Sequence, residues 1–202
     1  FEEGYEYYYK AIRIYEKLTG LEDRISTCLY VIASSYVQLQ DTMGVRKVLG
    51  QMKENLKNTN EEMKNTVSYN LYTIQTSYFI LLLEQDSLSK QYVDSAILSS
   101  KRAIDILENH SENLSVGIAP HFIYYKRATI YYEYYPGESE NVFYYLDKAE
   151  NTIPGHATER ERAEIKSKIY LMRGRMLSNE KAWDKAEQSA LAALDIISIL
   201  ND

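Results

Sequence analysis

Apolar side chains recur along this chain at intervals of three and four residues, the spacing that lines one face of a 3.6-residue helix. The first stripe is Tyr8, Ala11, Ile12, Tyr15 and Leu18, followed by Leu29, Ile32, Ala33 and Tyr36, then Val45, Val48, Leu49 and Met52. Next come Val67, Leu71, Ile74 and Tyr78, then Val93, Ala96, Ile97 and Ile104. The last stripes are Ala128, Tyr131, Tyr135; Val142, Leu146, Ala149; Ile169, Met172, Met176; and Ala186, Ala190, Ala193, Leu194. Alternation of strand length is not found, so the pattern predicts an all-α chain. Nine helices are expected, near 2–18, 22–40, 42–57, 61–85, 89–109, 119–135, 139–152, 158–179 and 182–200.

The breaks between stripes have local causes. Thr19-Gly20 ends the first helix, because glycine readily takes the left-handed conformation of a helix C-terminus. Asp41-Thr42 offers a side-chain cap to the third helix. The polar run from Asn109 to Pro120 is the longest expected loop, and Pro136-Gly137 and Pro154-Gly155 are strong punctuation. None of these breaks has the length of a domain linker, so residues 1–202 are expected to form one continuous domain.

The stripes repeat at a higher order. The second helix of each successive pair carries a small or short apolar residue at Ala11, Val45, Ala96, Val142 and Ala186, followed by Leu18, Met52, Ala103, Ala149 and Ala193. The first set is spaced by 34, 51, 46 and 44 residues. The last pair places Tyr170, Gly174 and Leu177 on one helix and Trp183, Ala186, Ala190 and Ala193 on the next. The first full pair reads Leu29, Ala33, Tyr36, Val45, Leu49 and Met52, and the third carries Ala128, Tyr131, Ala149 and then Pro154. This pattern resembles the tetratricopeptide repeat (TPR) family. The resemblance covers nearly the whole chain, as a half-unit at 1–20 and units at about 22–57, 61–110, 118–155 and 158–200. In the second unit the first helix admits more than one register, with Leu71, Ile74 and Tyr78 the best fit. The resemblance implies an all-α fold, a right-handed α-α superhelix of antiparallel pairs (a TPR-like solenoid). A helix pair cannot bury its stripe alone and needs stacked neighbours. On this register Ala186→Leu is expected to overpack the last pair by roughly 1–3 kcal/mol. Because the chain opens inside a second helix, a fragment of a longer protein is expected.

Charge and composition narrow the chemistry. Lys and Arg number 23 against 29 Asp and Glu, a formal net charge of −6. Nucleic-acid binders usually present a basic face. Here Arg160, Arg162, Lys166 and Lys168 alternate with Glu159, Glu161 and Glu164, the pattern of a solvated helix face. No direct nucleic-acid contact is therefore expected. The strongest apolar run, Phe79 to Leu83, is too short to cross a bilayer, so no membrane contact is expected from this segment. The first residues do not read as a signal peptide, and a cytoplasmic or bacterial periplasmic location is left open. The single Cys excludes an internal disulfide and a thiolate zinc cluster.

Candidate catalytic groups do not assemble in the sequence. His110, His121 and His156 are isolated and lack metal-ligand spacing. Cys28 has no nearby base and reads as a small buried hydrophobe. No carboxylate spacing singles out an acid and a base, and no glycine-rich phosphate loop is present. Neither a catalytic residue, a metal site nor a cofactor is expected. Asn109-His110-Ser111 and Asn113-Leu114-Ser115 match the glycosylation triplet, which carries little weight alone.

The 20 tyrosines are the distinctive feature, clustered as Tyr7-Tyr8-Tyr9, Tyr124-Tyr125, Tyr131-Tyr132, Tyr134-Tyr135 and Tyr144-Tyr145. Adjacent helical residues diverge by about 100°, so one of each pair can pack inward while the other faces outward. A tyrosine suits a half-wet position, where its hydroxyl finds a partner. The resemblance implies that first-helix residues line an inner, concave groove. On these registers they are Tyr30, Ser34 and Gln38, then Tyr72 and Thr76, then Tyr125, Thr129 and Tyr132, then Lys168, Leu171, Arg175 and Asn179. Family members that clamp a carboxylate terminus use Lys and Asn across consecutive repeats, a pattern absent here. The expected partner is a protein or peptide segment held by stacking, hydrogen bonds and apolar contact.

The function expected is a non-catalytic scaffold. The chain resembles the sensory or interaction portion of bacterial signalling or transcription-regulating proteins. The alternatives are a peptide-pheromone receptor domain, or a structural module that forms homo-oligomers through exposed solenoid ends. A helical-toroid enzyme would need inward-facing paired carboxylates and histidine, which the inner residues lack.

Overall fold

In a computed structural model, the structure describes residues 2–85, 89–114 and 119–201. The expected loop at 109–120 and the triplet at Asn113–Ser115 fall partly outside these residues, as do residue 1 of the expected half-unit, residues 86–88 of the second unit and residue 118 of the third. The protein is all-α, with 83% helix and no strand among the described residues. The helices are α1 (Glu2–Tyr15), α2 (Glu22–Gln38), α3 (Thr42–Asn58), α4 (Lys64–Gln85), α5 (Lys90–Asn109), α6 (Pro120–Tyr134), α7 (Ser139–Asn151), α8 (Glu159–Asn179) and α9 (Trp183–Asn201), with one 3-10 turn at Ser111–Asn113.

Helix ends follow local chemistry. The Asp41 side chain accepts from the Gly44 amide at 2.9 Å, so Asp41 caps α3 as the sequence predicts. Thr158 and Glu161 form a reciprocal capping box at the start of α8. Pro120 opens α6, where its missing N–H has no cost. α1 stops at Tyr15 rather than Leu18, because the amides of Lys17 and Leu18 turn to carbonyls three residues back. α4 starts at Lys64 rather than 61, after the Asn60 side chain accepts from the Met63 amide at 3.0 Å.

The chain forms two compact units, Phe1–Ile118 and Ala119–Asp202. In the first, α1 packs on α2, α2 on α3, α4 on both α2 and α3, and α5 on α4. Its core gathers Ile12, Cys28, Leu29, Ile32, Ala33, Val45, Val48, Met52, Leu71, Ile74 and Leu81. Asn55 Nδ2 donates to the Glu22 carbonyl at 2.9 Å, tying the end of α3 to the start of α2. The two helices therefore run antiparallel. α4 is buried on nearly every side, and several of its polar side chains pair internally: Asn70 Nδ2 donates to Ser26 Oγ at 3.1 Å, and the Ser77 hydroxyl donates to the Thr73 carbonyl.

In the second unit α6, α7, α8 and α9 pack in chain order. Ile123, Ala128, Ile130, Val142, Leu146, Ala149, Ile169 and Ala193 are its most deeply buried residues. Between α6 and α7, the Tyr145 ring lies stacked against Tyr131 at 5.7 Å and Tyr124 at 6.5 Å, with Tyr144 edge-on at 5.0 Å. The buried Arg127 guanidinium sits over Tyr131 and Tyr145, 5.1 and 5.7 Å from their centroids. Between α7 and α8, Arg173 donates to Glu150 at 2.7 Å and to Asp147 at 2.5 Å, and the Tyr170 hydroxyl donates to Glu150 at 3.2 Å. α9 lies against α8 at Gly174, where an added Cβ would meet the Ala186 carbonyl at 3.5 Å and the Ala190 amide nitrogen at 3.7 Å.

Candidate functional site

The predicted partner-binding residues divide between the units. On α2, Tyr30 and Ser34 are half-buried and Gln38 is exposed. Burial pushes the Tyr30 phenol up, and its hydrogen bond with Ser34 acts the other way. On α4, Tyr72 is half-buried beneath the Arg102 guanidinium, 5.5 Å from the ring centroid. Thr76 is 0% exposed, and its hydroxyl donates to the Tyr72 carbonyl at 2.8 Å. It supports α4 from within and presents nothing to a partner.

The second unit draws its candidates together. Tyr132 from α6 and Leu171, Arg175 and Asn179 from α8 line one groove of about 580 Å³. The positions Leu171, Arg175 and Asn179 succeed each other at four-residue steps, so a single helix face presents all three. Gly174, Ser178, Ala186 and Ala190 complete the lining with short side chains, and Trp183 and Glu187 belong to it from α9. Leu171 and Trp183 are both exposed, Trp183 at 62%. Small residues leave room where α8 meets α9, while larger apolar and charged groups stand around that space.

Tyr125 and Thr129 lie on α6, respectively two turns and one turn before Tyr132, and both are half-buried. Burial pushes the Tyr125 phenol up, and the positive charge of Arg175 opposes that shift. Arg175 thus influences Tyr125 as well as the groove. Thr129 turns its hydroxyl to the Tyr125 carbonyl at 3.0 Å. Lys168 is exposed on α8 outside the groove lining. Trp183 and the small floor were not among the predicted site residues, because the repeat pattern assigns them to packing. The sequence signal was present in the run of small residues at Gly174, Ser178, Ala186 and Ala190.

The other singled-out residues are placed as follows. Cys28 is buried in the first core, and burial pushes its thiol up. His110 and His156 are exposed, whereas His121 is buried at the start of α6. Its Nδ1 has no hydrogen-bond partner, and burial holds its pKa below the usual histidine range. Among the described residues, no three His, Cys, Asp or Glu side chains lie together in a way that could hold a metal ion. Among them, no helix is long and apolar enough to cross a membrane.

No protein-family model, no curated protein and no solved structure matches this chain.

Proposed function

We propose that this chain is a non-catalytic protein-interaction module built from helix pairs of the tetratricopeptide type. Its binding surface is the groove of the second unit, and its partner is a peptide or protein segment with an apolar anchor. One observation carries this reading: Tyr132, Leu171, Arg175 and Asn179, chosen from the repeat register, share one open groove with Trp183. Exposed aromatic and Arg side chains around a recess are the groups that dominate peptide and protein recognition. The lining contains neither histidine nor cysteine, and a peptide needs only stacking, hydrogen bonding and a cation from it. In this reading the module serves the sensory or interaction role of a larger signalling or transcription-regulating protein.

Trp183, the single tryptophan of the chain, makes the test direct. Peptides are selected from a random library on the intact protein and titrated while tryptophan emission is read. Binding is expected to shift that emission to the blue. Leu171→Glu combined with Tyr132→Ala is expected to weaken the selected peptides at least about tenfold, or 1.4 kcal/mol, with an unchanged melting curve. Equal affinity for the variant, or binding with no change at Trp183, would dismiss the groove.

A second reading, self-association, is favoured by a separate observation. α1 buries Ile12 but leaves Tyr7 and Ile14 exposed, and Leu18 just beyond it is exposed too. Tyr7 and Ile14 fall on one helical stripe of α1. α9 likewise exposes Leu191 and Leu194. Concentration-dependent light scattering that disappears in Ile14→Lys would establish it.

A further inference from the structure

Two charged residues, Arg175 and Glu187, belong to the lining of the second unit's groove. α8 carries four arginines, and three of them are engaged within the chain. Arg160 pairs with Glu164, Arg162 donates to the carbonyls of Gly155 and Ala157, and Arg173 is held by Asp147 and Glu150. Arg175 is exposed and has neither a hydrogen bond nor an ion pair among the described residues. Glu187 on α9 is likewise exposed and unpaired among them, so the two opposite charges share a groove without closing on each other.

Spacing adds a second constraint. Leu171, Arg175 and Asn179 follow one another at four-residue steps on α8, about 6 Å per step along the helix axis. Alternate side chains of an extended peptide lie about 6.6 Å apart and point the same way. An extended segment laid along α8 therefore meets these three positions with three alternate side chains. Trp183 opens α9 after the short turn that follows Asn179, and the short side chains at Gly174, Ala186 and Ala190 leave the floor between the helices open. Charge decides the middle position. A carboxylate is attracted to α8 by Arg175 and turned away from α9 by Glu187. The ends of the segment face Leu171 and Trp183, both exposed and apolar.

We infer that the groove takes an extended peptide segment in which an acidic side chain stands between two apolar ones, each separated from it by one residue. The carboxylate meets the Arg175 guanidinium, whose planar fork can donate two parallel hydrogen bonds to it. One apolar side chain lies on Leu171 and the other on Trp183, while the Asn179 amide bonds the peptide backbone. Such a segment needs no helix of its own. A nine-residue helix carrying the same groups at four-residue steps is marginal in water. This inference rests on the groove proposed above and names what that groove selects.

The test uses the whole chain and peptides without aromatic residues, so that tryptophan emission comes from Trp183 alone. The parent peptide is leucine, serine, aspartate, serine, leucine, acetylated and amidated so that it carries no terminal charge. Two relatives have asparagine or lysine at the centre. A third, alanine-rich peptide places its leucines four residues to either side of the aspartate. The wild type is expected to bind the aspartate peptide about fivefold more tightly than the asparagine peptide, and the lysine and helical-spacing peptides more weakly still. Arg175→Gln is expected to erase the preference for aspartate. Arg175→Glu is expected to keep the melting curve and to reverse the order, with lysine about fivefold ahead of aspartate. A Trp183 shift with equal affinity for all three central residues, or an unchanged order in Arg175→Glu, would overturn the acidic preference and leave the groove standing. Tighter binding of the helical-spacing peptide would overturn the extended register. No emission change with these peptides or with library-selected ones would dismiss the groove and this inference together.

Discussion

Two glycines that look alike in the sequence behave differently in the structure. A Cβ on Gly44 would lie 2.5 Å from the Tyr36 ring and 2.6 Å from the Asp41 carboxylate. Tyr36 cannot easily move, because it stacks on Tyr5 at 5.3 Å. Gly44→Ala should therefore cost about 1–3 kcal/mol in chemical denaturation. A Cβ on Gly174 meets its neighbours only at ordinary contact distances. Gly174→Ala should instead raise stability by about 0.5–1 kcal/mol, the helix propensity gained. The repeat pattern includes Gly174 and passes over Gly44, because only tertiary placement brings Tyr36 onto Gly44. His121 makes a prediction of the same local kind. Its folded pKa is depressed by burial, so the unfolded chain takes up a proton first as pH falls below about 6.5. The stability due to neutral His121 is whole above that pH, declines toward the folded pKa and levels off beneath it. Melting temperatures between pH 7.5 and pH 5 should show this loss in the wild type and lack it in His121→Gln; identical profiles would remove His121 as the cause.

Helices were legible because each needs only its own period and its own ends. The stripes located all nine described helices to within a few residues, and Asp41 caps α3 as the sequence suggests. Gly20 takes left-handed backbone at φ 78°, but α1 has already ended at Tyr15 and Gly20 does not stop it. Two further ends were not legible. Gln40 and Lys181 both take left-handed backbone, at φ 56° and 61°, where glycine is the usual occupant. Each closes a helix in the same way. Leu39, Gln40 and Asp41 donate to Ser35, Val37 and Tyr36; Glu180, Lys181 and Ala182 donate to Met176, Ser178 and Leu177. The first and last full helix pairs thus share a turn that residue type alone conceals. Lys181→Gly should relieve the left-handed strain and raise stability by up to about 1 kcal/mol, net of the entropy glycine adds to the unfolded chain. A thermal scan of the single variant checks it, and a loss of stability would mean that the Lys181 side chain contributes more than its backbone costs. Tertiary pairing of tyrosines was equally hidden: nothing in the tyrosine clusters says that Tyr145 of α7 stacks on Tyr131 of α6 around Arg127.

At the scale of the molecule, the candidate site was readable where one helix face carries it and unreadable where burial erases the pattern. Leu171, Arg175 and Asn179 follow from a single helical period on α8. Thr76 was misplaced on an open face because α4 is buried nearly all round and gives no amphipathic stripe from which to choose a side. Ala186 gives a related lesson. It is half-buried and lines the groove, so the overpacking expected there belongs at Ala193, which is 0% exposed. Each unit closes around its own core, and Trp183 reports only on the second. Ala193→Leu should destabilise that unit by about 1–3 kcal/mol and lower both the tryptophan-detected and the helix-detected transition. Gly44→Ala acts on the other core. It should lower the circular-dichroism transition at 222 nm while the Trp183 transition keeps its midpoint, since Gly44 and Trp183 belong to different compact units. Equal shifts of both signals in both variants would show instead that the two cores melt as one cooperative body.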